Sequence, residues 1–156
     1  MAAAIQKKSL VKILLLMFTV LVLFAIFVFL SESKAIATRV IDGDTFELRS
    51  GEKVRLLGID APEKGQYYHD EATNRLRRLV EGKKVRLEKD VSNRDRYGRL
   101  LRYVYVDGKF VNLELAKEGC AVMFVTPKNV KHLNELLKAE EEAKLRGRGV
   151  WSLVKS

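Results

Sequence analysis

Between Val40 and Glu63 the chain reads VIDGDTFELRSGEKVRLLGIDAPE, and the spacing of its apolar residues leaves room for little except a hairpin. Thr45-Phe46-Glu47-Leu48-Arg49 alternates with a period of two, as a strand with one buried face does. Ser50-Gly51-Glu52 is turn chemistry, and Lys53-Val54-Arg55-Leu56-Leu57 reads as the returning strand. Asp44 stands just before the first strand and Asp60 just after the second. A hairpin therefore carries both to one edge, where Asp42, Arg55 and Glu63 can join them.

Acidic residues beside turns are ordinarily solvated surface. The arrangement argues for more. Asp42-Gly43-Asp44-Thr45 sets carboxylates about a glycine that allows a tight turn, and Asp60-Ala61-Pro62-Glu63 is a second, rigid acidic turn. Two carboxylates with backbone carbonyls make a hard-oxygen site suited to Ca²⁺, with Mg²⁺ or Mn²⁺ as alternatives. Arg55 cannot ligate a cation, but its fork matches a phosphate. A cation beside a guanidinium, both facing one anion, is the equipment of phosphoryl transfer.

Ahead of this stretch, Ile13 to Leu30 runs eighteen residues without a charge. As a helix it would be about 27 Å long, close to the hydrocarbon thickness of a bilayer. Lys7, Lys8 and Lys12 precede it, which predicts a single-pass membrane protein with a cytoplasmic N-terminus and an extracytoplasmic domain. The alternative is secretion after signal cleavage near Ala37, where Ala35-Ile36-Ala37 offers an A-x-A. The apolar run is longer than a signal peptide needs, which favours a retained anchor in the lipid bilayer. The expected organisation is a basic flank over 1–12, a transmembrane helix over 13–30, a linker over 31–36 and one domain over 37–156.

Of the formal charge of +9, +3 belongs to residues 1–34 and +6 to the rest. A basic domain favours polyanions. Cys120 is the single cysteine, so no internal disulfide or thiolate cluster can form, and its apolar neighbours mark it as core. Ala72, Leu76, Leu79 and Val80 recur at helical spacing before Gly82, with Arg75, Arg77 and Arg78 expected on a solvated face. Strands are expected over Lys83–Val91 and Leu100–Val106, the latter closed by the Asp107-Gly108 turn. Helices are expected from Val111 to Lys117 and from Leu133 to Gly147, the second with Glu140, Glu141 and Glu142 in solvent and Trp151 packed back behind it. Short strands separated by glycine turns and helices fit a small α+β fold built on a closed or nearly closed barrel.

Three motifs, DGDT at Asp42–Thr45, RLLGIDAPE at Arg55–Glu63 and DRYGR at Asp95–Arg99, together resemble the staphylococcal-nuclease (thermonuclease) family, over about Ala37 to Trp151. The resemblance implies a five-stranded OB-type β-barrel with about three α-helices, acting as a Ca²⁺-dependent nuclease on single- or double-stranded DNA and RNA and leaving 3′-phosphate ends. It implies that Arg55 and Arg99 bind phosphate, that Glu63 serves as general base or positions the water, and that Asp44, Asp60 and the backbone carbonyl of Ala61 hold metal with Asp42 in support. Tyr97, Arg96 and Phe124 become substrate-binding residues. Phe124 is nearest to the family's nucleotide-binding Tyr and can stack but not donate a hydroxyl bond. The loop after Glu63 is shorter than in the best-known member. The competing reading is a catalytically silent barrel that binds nucleic acid or peptide from a membrane tether. Such a barrel is expected to lose at least one of Asp44, Arg55, Asp60, Glu63 or Arg99, and all five stand. No protein partner is inferable from the sequence.

Overall fold

The computed structural model describes residues 12–24 and 35–153, which fall into two units, 1–33 and 34–156. In the first unit residues 12–24 form a helix, α1, whose apolar side chains are exposed. Among the described residues no helix is long and apolar enough to cross a membrane. Residues 25–30 of the expected span, and 31–34 of the expected linker, lie outside the described residues.

The second unit is built on a barrel. Its strands are β1 (Ala35–Val40), β2 (Thr45–Leu48), β3 (Lys53–Leu56), β4 (Ile59–Asp60), β5 (Lys84–Glu88), β6 (Leu100–Val106), β7 (Lys109–Phe110) and β8 (Val122–Met123). Its helices are α2 (His69–Val80), α3 (Val111–Lys117) and α4 (Leu133–Leu145), followed by a 3₁₀ turn at Gly149–Leu153. The main sheet runs β3-β2-β1-β5-β6-β7, and a parallel pairing of β3 with β6 closes five strands into a barrel. β1 starts at Ala35, inside the stretch expected to be linker, because Ala35 and Ile36 pair with Val85 and Lys84 of β5.

The expected hairpin is β2–β3, with Thr45 opposite Arg55 and Phe46 opposite Val54. Its alternation sends Phe46, Leu48, Val54 and Leu56 into the barrel, where they meet Val85, Leu100, Tyr103 and Val104. Asp107 and Gly108 both take positive φ, 49° and 80°, the two-residue geometry that joins β6 to β7. Cys120 is in the core as expected, and burial pushes its thiol up to about 12.

Two expected solvated faces are partly otherwise. Arg75 on α2 grips Glu118, at the end of α3, with both Nε and Nη2. Glu140 is only 8% exposed; it accepts the backbone N–H of Met123 at 2.8 Å and pairs with Lys144. Each is one member of a pair whose other member lies on a different part of the chain, which helical periodicity cannot show. Asn112 at the start of α3 is fully buried: its Oδ1 accepts Val104 N–H and its Nδ2 donates to Leu57 O. It fastens α3 to the strand pair that closes the barrel, and satisfies backbone groups that would otherwise be orphaned.

Candidate active site

The DGDT loop closes on itself through Ile41 N–H and Asp42 N–H donating to Thr45 O, while Asp42 Oδ1 accepts Asp44 N–H at 3.1 Å. Gly43 is needed here for room. A Cβ on it would lie 2.6 Å from Ala61 Cβ and 3.0 Å from Ala72 Cβ, so the first acidic turn packs directly on the second and on α2. Asp44, 6% exposed, then reaches across, and its Oδ2 accepts Ala61 N–H at 2.8 Å. Asp60 is set by backbone pairing. β4 lies antiparallel to β8, with Asp60 opposite Val122, and the same ladder continues as Phe124 N–H donates to Gly58 O. That two-residue pairing brings Phe124 to the side of the acidic turn, and nothing in the period of the sequence announces it.

Arg55 joins the two carboxylates. Its Nε lies 3.1 Å from Asp44 Oδ1, its Nη2 donates to Asp60 Oδ1 at 2.5 Å, and its Nη1 donates to the carbonyls of Leu56 and Ile59, each at 2.7 Å. The guanidinium expected to face a phosphate is thus turned largely toward its own acidic neighbours. Burial pushes the Asp44 carboxyl up to about 6, against the pull of Arg55 and the bonds from Ala61 and Thr45. Thr45 Oγ1 donates to Asp44 Oδ1 and accepts from Arg99 Nη1 at 3.3 Å, so one chain of bonds links Arg99 to Asp44.

Arg99 follows Gly98 and is organised by Asp95. One carboxylate oxygen of Asp95 accepts the backbone N–H groups of Tyr97 and Arg99, and the other accepts Arg99 Nε at 2.7 Å. Burial alone would raise the Asp95 pKa, but the bonds and charge of Arg99 hold it below the ordinary value. Asp95 and Thr45 were not singled out from sequence, although each lies inside a motif; what they do depends on contacts those motifs do not spell out.

One cavity of about 540 Å³ is lined by all ten residues selected from sequence: Asp42, Asp44, Arg55, Asp60, Ala61, Glu63, Arg96, Tyr97, Arg99 and Phe124. Glu63 is exposed at its mouth. Tyr97, 68% exposed, and Phe124, 54% exposed, offer ring faces there, with the Arg96 and Arg99 guanidinium carbons 4.8 and 5.6 Å from the Tyr97 ring centre. Among the described residues no three His, Cys, Asp or Glu side chains converge into a ready cage for a metal. The donor chemistry nonetheless fits a hard divalent cation: Asp44 and Asp60 meet at Arg55, every neighbouring donor is oxygen, and the cavity leaves room for water to complete a shell.

Residues 53–153 match the family model described as staphylococcal nuclease homologue. The chain is 42% identical over 125 residues to the SPβ prophage-derived endonuclease YokF of Bacillus subtilis, a match covering 73% of this chain and 42% of the relative. It is 43% identical over 125 residues to endonuclease YncB of the same organism, covering 73% of this chain and 59% of the relative. To the thermonuclease of Staphylococcus intermedius it is 38% identical over 122 residues, 72% of this chain and 73% of the relative. It thus spans about half the length of the two Bacillus relatives. A closed five-stranded barrel carrying both acidic turns and the DRYGR loop on one cavity, matched over most of its length by that model, places the chain in the staphylococcal nuclease homologue family.

Proposed function

We propose that this chain is a metal-dependent nuclease that hydrolyses phosphodiester bonds in DNA, RNA or both. The observation that carries the reading is the convergence of Asp44, Asp60, Glu63, Arg55 and Arg99 on one cavity. A divalent cation, Ca²⁺ before Mg²⁺ or Mn²⁺, held by Asp44, Asp60 and the Ala61 carbonyl with Asp42 in support, would draw charge from a phosphoryl oxygen and acidify water.

The chain's own residues do the rest. A phosphodiester is an anion that repels nucleophiles, so its charge must be met before water can attack. Arg99, already turned into the cavity and steadied by Asp95, binds a phosphoryl oxygen. Arg55 exchanges its bond to Asp60 for one to the phosphate as charge builds in the transition state. Glu63, exposed at the mouth, accepts a proton from the attacking water. Cleavage breaks the P–O5′ bond, so that one product keeps a 3′-phosphate and the departing 5′-oxygen takes a proton from solvent. Tyr97 and Phe124 stack on bases and Arg96 meets the strand's backbone.

We place the domain outside the cytoplasmic membrane, anchored through residues 13–30. Support comes from the uncharged run with lysines before it, and from β1, which loses Ala35, Ile36 and Ala37 if a peptidase cuts after Ala37. The experiment for the activity is digestion of labelled single- and double-stranded DNA and RNA by the full chain, with Ca²⁺ and with chelator. Cleavage that requires the ion is expected. Binding without cleavage in every divalent ion would establish the silent barrel instead.

A further inference from the structure

The cavity continues past Tyr97 to Ser92, Arg94 and Thr126, residues for which the hydrolytic reading has no task. Arg94 is fastened there: it bridges to Leu100 at the start of β6, its Nη1 donates to Gly98 O at 2.8 Å, and its Nη2 donates to Glu52 Oε1 at 2.5 Å. Two residues along β6 stands Arg102. Its Nη1 donates to the carbonyls of Asn93 and Leu101 at 3.0 and 2.7 Å, and its Nη2 to Asn93 Oδ1 at 2.8 Å.

Those three acceptors are all neutral. Arg55, Arg94 and Arg99 each have a carboxylate partner, whereas Arg102 makes no ion pair among the described residues. Burial first, and the charge of Arg94 second, hold Arg102 below the usual guanidinium pKa, with Glu52 pulling the other way. Two pinned arginines thus share the neighbourhood of one carboxylate. An arginine in a protein does not deprotonate, so an excess of positive charge here is relieved by an anion. The Arg94–Glu52 pair is itself a rim pair, with side chains 45% and 42% exposed, weak enough for a phosphate to displace the carboxylate.

We propose that Arg94 and Arg102, joined through Asn93, form a second phosphodiester subsite, which holds a phosphate flanking the one that is cut on the same nucleic-acid strand. The subsite rests on the nuclease reading for its ligand. Glu52 acts as its competitor: it occupies Arg94 in the free protein and is released when a strand binds. A short substrate with a single phosphodiester bond cannot reach both positions, so the subsite acts only on longer strands.

The test uses the full chain in mild detergent with a labelled single strand of about 20 nucleotides, and a dinucleotide with one phosphodiester bond. With chelator present, strand binding is followed by fluorescence anisotropy at several salt concentrations. Arg94→Gln and Arg102→Gln should each weaken strand binding several-fold, and each should flatten the log–log salt dependence, the two together by about 0.7, the share of one phosphate contact on a single strand. Glu52→Gln should tighten binding of the strand. Arg146→Gln, which removes an equal charge beside Glu142 on α4, should change neither. With Ca²⁺ added, the two arginine variants should raise KM for the strand by a clearly larger factor than for the dinucleotide. An unchanged salt slope in both arginine variants, or equal losses on strand and dinucleotide, overturns the proposal. If Arg102→Gln fails to fold, Arg94→Gln and Glu52→Gln decide, because their opposite signs cannot both follow from loosening the loop. Should the wild type cut nothing, the nuclease reading falls while the salt slopes still decide the subsite.

Discussion

Arg55 is a single side chain with two possible allegiances. In the free protein its Nη2 is spent on Asp60 and its Nη1 on two carbonyls, so a phosphate must compete for it. Only a planar fork can hold Asp44 with one edge while turning another toward substrate, which a lysine cannot copy. Arg55→Lys and Arg99→Lys should each lower turnover at least about a hundredfold, the scale of losing a transition-state donor. Wild-type turnover by either variant in single-turnover kinetics would remove that arginine from the role assigned to it. The acidic residues should separate differently. Asp44→Asn takes away one ligand charge but keeps an oxygen, so it should raise the Ca²⁺ concentration needed for cleavage. Glu63→Gln should leave Ca²⁺ binding by calorimetry nearly intact while turnover collapses. Coincident metal titrations for the two variants would show that they do not have separate tasks.

Among the elements, the end of α3 and the start of the 3₁₀ turn approach with no room for a side chain between them. A Cβ on Gly119 would fall 2.2 Å from Arg148 O, and Gly119 has φ +67°, while its carbonyl accepts Val150 N–H at 2.9 Å. Space and conformation both exclude a side chain, so Gly119→Ala should lower stability by roughly 1–3 kcal/mol, read as a lower urea midpoint at unchanged slope. The start of α4 is held by charge instead. Burial would raise the pKa of Glu88, but bonds from Lys131 and His132, and their charges, bring it down to about 2. A carboxylate with a depressed folded pKa contributes stability that is complete above its unfolded value, near 4.5, and is lost as pH falls toward 2. The contribution is on the order of 2 kcal/mol after allowing for water at Lys131. Urea midpoints of the wild type should therefore fall between pH 4.5 and 2 by more than those of Glu88→Gln. Equal slopes in the two proteins would show that Lys131 and His132 do not stabilise the charged form.

At the scale of the molecule, the N-terminal run bears on where the barrel resides. The uncharged run over 13–30, with Lys7, Lys8 and Lys12 before it, predicts a full-length chain that stays in the membrane pellet through alkaline and high-salt washes. Added protease should reach the barrel from the extracytoplasmic side. Recovery of a soluble chain beginning near Thr38 would instead establish cleavage, and with it a barrel that tolerates the loss of half of β1. The pairing of β3 with β6 leaves none of the five barrel strands as an open edge, where another chain could otherwise pair.

Much of this architecture is written in local order. The alternation of Thr45–Leu48 and Lys53–Leu56, the Asp107-Gly108 turn and the helix over Val111–Lys117 could be read directly, since each depends on residues within a few positions of one another. Nine of the ten candidate residues could also be picked out, because three short motifs carry them, whereas Phe124 lies outside all three. What tertiary structure alone decided are the partners. The parallel closure of β3 on β6 joins residues 46 apart, such as Val54 and Leu100, and periodicity tells which face of a strand is buried but not what covers it. The same limit hid the pairing of β4 with β8 that places Phe124, the room Gly43 leaves for Ala61, and the burial of Glu140 beneath Met123. It also hid the turn of Arg55 toward Asp60. Which of two anions a guanidinium holds depends on distance and dielectric, and neither exists until the chain has closed.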